Sequence, residues 1–310
     1  MTHTSDKTVA LTGATGFLGR YLIKTLVKRG YHVRALTRRP QTNQPGVTWI
    51  QGDVRLPESL DALAIGADIF IHAAGLTKAL NLDEFRSVNK MGSWHALQAA
   101  KHSKVKKFIM VSSMAAREPG LSHYARSKME GDHALTSFKW PFDWMIIRPG
   151  GIYGPGDTEF LPMFKLAAKG FMVTAGGKNN RFALIHGADM ATIIADQIDQ
   201  PFTQTIYEAD DRHPNGYQAA DLAEIFTKIY DRPIRLFNIP AFLLKIIGTV
   251  NSLRAFLTRK AQFITHKKAN ELTHTDWSVH QAAKTDSDIQ YTLQSGFDET
   301  YQWYKENQLL

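Results

Sequence analysis

The chain has 310 residues, 44% of them hydrophobic, which is enough to bury a large core in one large domain or two small ones. It contains no cysteine, which excludes disulfides, thiolate metal sites and a cysteine nucleophile and favours a reducing, cytoplasmic location. The net charge of +8 favours acidic ligands or an anionic surface, but the basic residues are scattered in pairs, so we expect no nucleic-acid binding.

The first informative stretch is TVALTGATGFLGR at residues 8–20. Its apolar start predicts a buried strand, and the apolar spacing after it predicts a helix. A glycine turn between a strand and a helix N-terminus makes an anion site, because free N–H groups and the positive end of the helix dipole face the turn. Gly13 permits the tight turn, Gly16 lets a pyrophosphate approach and Gly19 allows close packing. The stretch therefore predicts a dinucleotide site.

Apolar runs alternate with helical patterns through the first half of the chain. The predicted strands lie near residues 8–12, 31–36, 47–51, 67–72, 106–112 and 143–148, and the predicted helices near 17–29, 82–102 and 122–137. This alternation predicts an α/β fold with a doubly wound parallel sheet. Glycine-rich loops after residue 150 indicate a smaller mixed α/β substrate lobe. We expect a nucleotide-binding domain over 7–155 and 183–209, and the lobe over 156–182 and 210–310.

The end of the second predicted strand bears on the choice of cofactor. An acidic residue there would hold the ribose 2′-hydroxyl of NAD. Thr37 occupies that place instead, and Arg38 and Arg39 follow it. A guanidinium pairs well with the 2′-phosphate of NADP, so we expect NADP(H) rather than NAD(H).

Loops after three further strands are also expected to contact the cofactor. Asp53 can accept a hydrogen bond from the adenine amino group, small residues at 73 and 74 let the cofactor cross the sheet edge, and glycines at 150 and 151 let backbone approach the carboxamide. The complete set of expected cofactor contacts is Gly13, Thr15, Gly16, Phe17, Leu18, Arg38, Asp53, Val54, Ala73, Ala74, Tyr124, Lys128, Pro149, Gly151 and Ile152.

Catalytic side chains are predicted where Tyr124 and Lys128 stand four residues apart, on one face of a helix. A phenol is a poor acid–base group at neutral pH, and a neighbouring ammonium lowers its pKa. The spacing alone is weak evidence, because Tyr301 and Lys305 repeat it. Ser113 distinguishes the first pair, since it ends a buried strand just before it and can hydrogen-bond the reacting carbonyl or hydroxyl. Ser113, Tyr124 and Lys128 are the predicted catalytic residues.

The motifs together are TGATGFLG, GDV, HAAG, VSS, YARSK and RPGGIYGPG, followed by RFALIHGADMA and LQSGFDETYQWY. In this order and at these intervals they resemble the extended short-chain dehydrogenase/reductase superfamily over nearly the whole chain. The resemblance implies a Rossmann fold, a bound nicotinamide cofactor, and Tyr124 as acid–base assisted by Lys128 and Ser113. It also implies a role for Asn89 in the helix beside the active site, and a homodimer formed through two helices of each subunit.

The substrate is less clearly indicated. Arg181 resembles a phosphate-binding arginine of nucleotide-sugar epimerases, and Tyr153 and Ser113 are further candidate substrate contacts. Residues 273–290 lack a second such arginine and resemble dihydroflavonol reductases and hydroxysteroid dehydrogenases instead. Tyr124 follows Ser113 by only 11 positions, which leaves less chain for a sugar pocket. We therefore favour a reductase or dehydrogenase acting on a small, partly apolar substrate.

The segment 240–257 places Phe242, Ile246, Thr249, Leu253 and Phe256 on one helical face. Such a stripe packs on its own protein or on a sister subunit more often than on a membrane, although surface association through 240–260 stays open. The polar start of the chain predicts no signal peptide, and no apolar run is long enough to predict a membrane-spanning helix.

Three functional hypotheses follow. The first is an NADP(H)-dependent oxidoreductase, and its variant is a nucleotide-sugar epimerase or dehydratase with a tightly bound NAD(P). The third is a non-catalytic NADP-binding sensor or scaffold, which the presence of both Tyr124 and Lys128 disfavours. The twelve histidines show no tight ligand spacing, so no metal is expected. His186 and Asp189 are expected to be structural.

Overall fold

The computed structural model describes residues 7–202, 204–258, 266–280, 282 and 288–310, and within 252–257 it describes the backbone alone. The chain forms two compact units. The first contains the described residues up to Arg148 together with Met190–Tyr207, and the second contains Pro149–Asp189, Glu208–Ala282 and Asp288–Leu310.

The strands and helices of the described residues are numbered in chain order. The strands are β1 (Thr8–Thr12), β2 (His32–Thr37), β3 (Val47–Gln51), β4 (Ile69–His72), β5 (Lys107–Val111), β6 (Asp143–Pro149), β7 (Gly151–Tyr153), β8 (Phe171–Ala175), β9 (Arg181–Phe182), β10 (Leu184–His186), β11 (Thr205–Ala209), β12 (Arg235–Ile239) and β13 (Asp276–Trp277). The helices are α1 (Phe17–Lys28), α2 (Pro57–Ala64), α3 (Leu82–Phe85), α4 (Met91–His102), α5 (His123–Thr136), α6 (Leu161–Ala167), α7 (Gly187–Asp199), α8 (Ala219–Tyr230), α9 (Ala241–Thr258), α10 (His266–Leu272) and α11 (Leu293–Glu306).

A seven-stranded sheet organises the first unit, with strand order β11-β6-β5-β4-β1-β2-β3. β1 pairs in parallel with both β2 and β4, so the order of the chain reverses between β1 and β4. Ligands of doubly wound sheets bind outside the carboxyl ends of the strands at such a reversal. This topology confirms the predicted doubly wound parallel sheet, and it selects the loops after β1 and β4 as the centre of the site.

The sheet is held by apolar side chains on its strands and covering helices. All four residues of β4 are buried, as expected for a strand that is covered on both faces. On one face Phe70, Phe108 and Phe142 stack in sequence, with ring centroids 5.3 and 5.6 Å apart. Leu60 and Leu97, from α2 and α4, are fully buried in the same cluster. This packing holds the carboxyl ends of the strands in fixed positions relative to one another.

Two features of the first unit differ from the predicted elements. A helix, α2, lies between β3 and β4, where none was predicted. The single predicted helix over 82–102 is divided into α3, one π-helical turn at Arg86–Lys90, and α4. The chain passes from the first unit to the second after Arg148. Just after this point, Gly150 N–H donates to Ala209 O and Gly151 N–H donates to Ala183 O, within the second unit.

The second unit combines helices with three two-stranded parallel sheets, β7 with β10, β8 with β12, and β9 with β13. Its core is an aromatic cluster in which Phe164, Phe226 and Phe297 are fully buried. The ring centroid of Phe297 lies 5.2 Å from that of Phe164 and 5.4 Å from that of Phe226. Apolar residues from α6, α8 and α11 are thus joined in one mixed α/β unit.

Helix α9 covers the segment that was predicted to form a half-apolar helix. Its described side chains include the exposed Phe242, Ile246 and Thr249, whereas the side chains of Leu253 and Phe256 lie outside the described part of the chain, as do residues 259 and 260 entirely. Among the described residues, no helix combines the length and the apolar character that crossing a bilayer requires.

The contribution of the aromatic cluster to the stability of the second unit can be tested by substitution. Phe297→Ala should lower the free energy of unfolding by about 3–5 kcal/mol, because it removes a fully buried ring and leaves a cavity. Urea denaturation followed by tryptophan fluorescence measures the change. Phe242→Ala, at a position exposed by 63%, is the matched control and should cost well under about 1 kcal/mol. Equal losses in the two variants would contradict the assignment of Phe297 to the core.

Candidate active site

The glycine turn after β1 is shaped by contact with the end of β4. Gly13 has φ +72°, and a Cβ built on it would lie 2.6 Å from the carbonyl oxygen of Ala73. Any side chain at residue 13 would therefore both strain the backbone and force β1 and β4 apart at this edge. The turn closes with a hydrogen bond from Gly16 N–H to the Gly13 carbonyl at 2.9 Å, and a Cβ at Gly19 would overlap the same carbonyl.

Helix α1 begins directly at this turn. Its N-cap is Gly16, and no side chain caps the first turn, which contains no acidic residue. The first N–H groups of a helix have no partner within the helix. Thr15 and Gly16 are exposed, whereas Phe17 and Leu18 are half-buried. The arrangement is a backbone cradle that suits an anionic group of a ligand.

Behind the turn, a chain of buried polar groups connects β1, β4 and α4. Thr12 Oγ1 lies 2.9 Å from His72 Nδ1 and also accepts a hydrogen bond from Ala74 N–H at 3.2 Å. The other ring nitrogen, His72 Nε2, lies 3.2 Å from Ser93 Oγ, whose hydroxyl donates to Asn89 O at 2.7 Å. The network holds the Ala73–Ala74 backbone at a fixed distance from the glycine turn.

The donors in this network assign one protonation state to His72. Since the single Ser93 proton goes to Asn89, Ser93 must accept from His72 Nε2–H, and in the neutral ring Nδ1 accepts from the Thr12 hydroxyl. Both contacts are satisfied by a neutral imidazole. Burial lowers the pKa of His72 to about 3, and the nearby Lys128 charge acts in the same direction.

Asn89 lies in the π-helical turn, and its side chain is fully hydrogen-bonded. Its amide donates to Leu76 O at 3.1 Å and to Ser127 Oγ at 2.9 Å, and its oxygen accepts from Leu76 N–H at 2.7 Å. Ser127 donates its own proton to Tyr124 O at 2.8 Å. Single π-helical turns often mark functional sites. In this chain the turn fixes the loop after β4 to the helix that carries Tyr124.

Tyr124 lies in the first turn of α5, where Ser122 caps the helix by accepting from Ala125 N–H at 2.9 Å. The side chain is half-buried, and its ring centroid lies 6.0 Å from that of Phe85. The positive end of a helix dipole favours an anion near the first turn. Ser113 follows β5, is half-buried, and accepts from Ala115 N–H at 3.2 Å. Both hydroxyls therefore sit on well-anchored backbone.

Lys128 lies one turn further along α5 and is buried. Its Nζ donates to Val111 O at 3.0 Å, at the end of β5. Burial lowers the pKa of the Lys128 ammonium, and the carboxylate of Asp132 opposes that shift. Asp132 is itself buried and pairs with Arg148, whose Nε and Nη2 lie 3.0 and 2.9 Å from Oδ2. Burial raises the pKa of Asp132, while the Arg148 charge acts to lower it.

The residues expected to select the cofactor lie at the ends of β2 and β3. Thr37 is buried and donates to the Arg39 carbonyl at 2.6 Å, so the turn directs Arg38 and Arg39 to exposed positions. Asp53 forms a bidentate ion pair with Arg55, at 2.9 and 2.7 Å. Hydrogen bonding by Arg55 lowers the pKa of Asp53, which keeps this carboxyl ionised. Val54 is buried beside it.

The remaining predicted site residues belong to the second unit. Pro149 ends β6, and Gly151 and Ile152 lie in β7, paired with β10. Arg181 Nη1 donates to Asn215 O at 3.0 Å. Tyr153, which is predicted to contact the substrate, is fully buried, with its ring 4.9 Å from that of Phe297.

His186 and Asp189 make structural contacts in the second unit. Asp189 accepts from the N–H groups of Gln290 and Tyr291, both at 3.0 Å. His186 stacks on Tyr291 at 3.8 Å, and its Nε2 lies 3.3 Å from the Glu299 carboxylate. Within the described residues, no three acidic or histidine side chains cluster as metal ligands would.

Several members of the network were not predicted from the sequence. Thr12, Ser93 and Ser127 act through single hydroxyls that no spacing distinguishes from surface serines and threonines. Two signals were nonetheless available. His72 interrupts the apolar strand IFIH, and Asp132 stands four residues after Lys128 on the same helical face.

Comparisons with known proteins agree on a family. The sequence matches the family model described as NAD(P)H-binding over residues 13–201. A ceramide reductase of Caulobacter vibrioides is 37% identical, with 96% of this chain and 94% of the relative aligned. A UDP-glucose 4-epimerase of Vibrio cholerae is 24% identical, with 96% and 95% aligned. The structure also resembles Thermus thermophilus UDP-glucose 4-epimerase complexed with NAD, with a TM-score of 0.68 at 16% identity, covering 96% of this chain and 99% of that one.

The neutral state of His72 predicts a pH dependence of stability. Its pKa falls from an ordinary value near 6.5 to about 3 on folding, so below pH 6.5 the unfolded chain binds a proton that the folded chain does not. Stability should therefore be lost as the pH falls from 6.5 toward 3, by about 2 kcal/mol between pH 7 and pH 5.

Urea denaturation of the wild type and His72→Gln at both pH values measures this contribution as the difference between their pH dependences. His72→Gln should be less stable at pH 7 but lose less on acidification. His32→Gln, at an exposed position, is the control and should keep the wild-type dependence. An identical pH dependence in wild type and His72→Gln would mean that His72 is not neutral in the fold.

Proposed function

The chain belongs to the NAD(P)H-binding family, as an oxidoreductase or epimerase of the extended short-chain dehydrogenase/reductase type, and from this premise we propose that it is an NADP(H)-dependent reductase. Its substrate would carry a ketone on a largely apolar molecule. The observation that carries the proposal is the anchored set of Ser113, Tyr124 and Lys128 beside Asn89 in the first unit.

The residues of the first unit fit a dinucleotide. The turn at Gly13 and Gly16 has no side chain in the cradle, and the uncapped start of α1 offers N–H groups to the pyrophosphate. The ionised Asp53 suits the adenine amino group, and the exposed Arg38 suits a 2′-phosphate. When bound, NADPH would supply a hydride to the carbonyl carbon.

Tyr124 would donate the proton that the carbonyl oxygen needs. Its phenol lies in the first turn of α5 and one turn before the Lys128 ammonium. Both positive fields favour the phenolate that remains after the proton has left. Ser113 would hydrogen-bond the same oxygen and hold it in place as charge develops there.

Lys128 and Asn89 would act by position. The Lys128 ammonium is buried and directed at the end of β5 by Val111 O, and Asp132 favours its charged form. Asn89 supports the loop after β4 and, through Ser127, the backbone of Tyr124. The relevant groups are thus held in place before a substrate binds, which lowers the entropic cost of reaction.

The comparisons favour an apolar substrate over a sugar nucleotide. The ceramide reductase is more similar to this chain than the UDP-glucose 4-epimerase is, over the same share of its length. The short interval of 11 positions from Ser113 to Tyr124 and the lack of a second phosphate-binding arginine support the same choice. We therefore propose reduction of a ketone on a long-chain lipid.

Epimerisation of a nucleotide sugar is the second candidate. The full-length similarity to an epimerase favours it, and so does Arg181, which could pair with a diphosphate. The same Tyr124 would serve, because epimerisation removes and returns a proton at one oxygen. Binding of a UDP-sugar that is lost in Arg181→Ala would favour this candidate over the first.

The role of Tyr124 is tested by Tyr124→Phe, which removes the proton donor and leaves the ring. Turnover, followed by NADPH absorbance, should fall by about 10²–10⁴-fold, while NADPH affinity stays within about twofold of wild type. Tyr301→Phe is the matched control, because Tyr301 and Lys305 repeat the spacing elsewhere in the chain, and it should keep full activity. Wild-type turnover in Tyr124→Phe would remove Tyr124 from the mechanism.

The preference for NADP is tested by Arg38→Ala. Loss of a charge-assisted contact with the 2′-phosphate should weaken NADPH binding by roughly 10–100-fold and leave NADH binding unchanged. Calorimetric titration with both dinucleotides measures the ratio of the NADPH affinity to the NADH affinity. Arg39→Ala serves as the neighbouring comparison and should change the ratio less. An unchanged ratio in Arg38→Ala together with a large change in Arg39→Ala would assign the 2′-phosphate to Arg39.

A further inference from the structure

One segment of the second unit accounts for the net charge of the entire protein. The 39 residues from Arg232 to Asn270 contain eight Lys and Arg residues and no Asp or Glu. The other 271 residues carry 29 basic and 29 acidic side chains and are therefore balanced. The described members Arg235, Lys245 and Lys267 are exposed. The positive charge is thus concentrated in the segment that contains β12, α9 and α10.

The same segment exposes an unusual amount of apolar surface. Helix α9 packs on α10 and buries Leu244 and Gly248 in its described turns. Most of its other described side chains are apolar as well, so the face away from α10 presents large hydrophobic residues to solvent. These exposed residues are Phe242, Leu243, Ile246, Ile247 and Val250. A helix that is apolar all round is ordinarily buried in a protein or a membrane.

The two-stranded sheet whose strand β12 precedes α9 in the chain exposes further apolar side chains. Phe171 and Val173 on β8 and Leu236 and Phe237 on β12 are exposed, and the Phe171 and Phe237 rings lie 5.6 Å apart. Together α9, β8 and β12 contain nine of the sixteen large apolar side chains that the described residues expose. We call the exposed apolar side chains of α9, namely Phe242, Leu243, Ile246, Ile247 and Val250, the α9 face.

We propose that the α9 face docks on the surface of a bilayer that contains anionic lipids. An apolar helix face combined with Lys and Arg residues is the combination that lies in a lipid interface, where apolar side chains enter the acyl boundary and basic ones meet anionic headgroups. No described helix is able to span the bilayer, so the association would be peripheral. Nucleic acid would match the charge but not the apolar side chains.

A second copy of the chain is the main competing occupant, and charge disfavours it. A two-fold symmetric contact pairs a surface with itself. Contact between two α9 faces would bring the two +8 segments together, and like charges facing each other across an interface oppose association. An anionic bilayer presents negatively charged headgroups and an apolar interior. It is therefore complementary both to the basic residues of the segment and to the apolar side chains of the α9 face.

This inference rests on the proposed function for its substrate, although not for the docking itself. A long-chain lipid ketone resides in a bilayer rather than in water, so an enzyme that docks there meets its substrate at high local concentration. Docking should therefore raise turnover of a ketone that is presented in vesicles and leave turnover of a short, water-soluble ketone unaffected.

The test is co-sedimentation of the full chain with vesicles of phosphatidylcholine alone or of phosphatidylcholine with phosphatidylglycerol. The wild type should bind the anionic vesicles at least about tenfold more tightly than the neutral ones, and about 0.5 M salt should weaken that preference. The double variant Phe242→Ser/Ile246→Ser should lose about tenfold or more in binding to anionic vesicles. Ile65→Ser, exposed by 64% in the first unit, is the matched control and should bind as the wild type does.

Lys245→Glu tests the electrostatic part separately, and it should reduce the preference for phosphatidylglycerol while leaving binding to neutral vesicles unchanged.

The proposal would be overturned if the wild type bound the anionic vesicles no more tightly than the double variant does. The proposal would also be overturned if sedimentation detected a concentration-dependent dimer of the wild type and no dimer of the double variant. The α9 face would then be a contact between subunits. NADPH oxidation with a soluble ketone is measured alongside. Its absence counts against the proposed function and not against docking.

Discussion

The structure of the first unit depends on a buried polar network whose members are all hydrogen-bonded to one another or to the backbone. Thr12, His72, Ser93 and Asn89 are all buried, and each hydroxyl, ring nitrogen and amide proton among them has a defined partner. Leaving one such group unpaired costs about 1–3 kcal/mol. The network therefore admits one arrangement of the loops after β1 and β4, and that arrangement presents the glycine turn on one side and Tyr124 on the other.

The buried ammonium of Lys128 imposes a second constraint on the same unit. Removing a charge from water is unfavourable, and Val111 O and the Asp132 carboxylate offset part of that cost. Asp132 in turn requires Arg148, because a lone buried carboxylate would be protonated. Three charged side chains from α5 and β6 are thus interdependent. A chain that needed only stability would gain more from apolar residues there, so the buried charge supports the role that is proposed for Lys128.

Much of the first unit could be predicted from the sequence, because its strands are apolar runs and its nucleotide turn has a glycine pattern. The strands at 8–12 and 47–51 were predicted at their observed bounds. Helix α2 was missed because it is only eight residues long and its Pro57 suggests a loop, although proline is favoured in a first helical turn. The π-helical turn has no sequence pattern, since it depends on how α3 and α4 pack. The burial of Tyr153 could not be predicted, because it depends on contact with Phe297, 144 residues later in the chain.

The π-helical turn at Arg86–Lys90 sets the directions in which the side chains of α3 point relative to those of α4. Each residue of an α-helix advances the side chain by about 100°, and a π-helical turn accommodates one residue more than an α-helical turn does. Deleting a single residue there would restore a regular helix through to α4 without breaking it. It would also rotate α3 by that angle relative to α4, and Asn89 and Phe85 would no longer face Ser127 and Tyr124 together. The length of this helix is therefore constrained far more tightly than the identity of most residues along it.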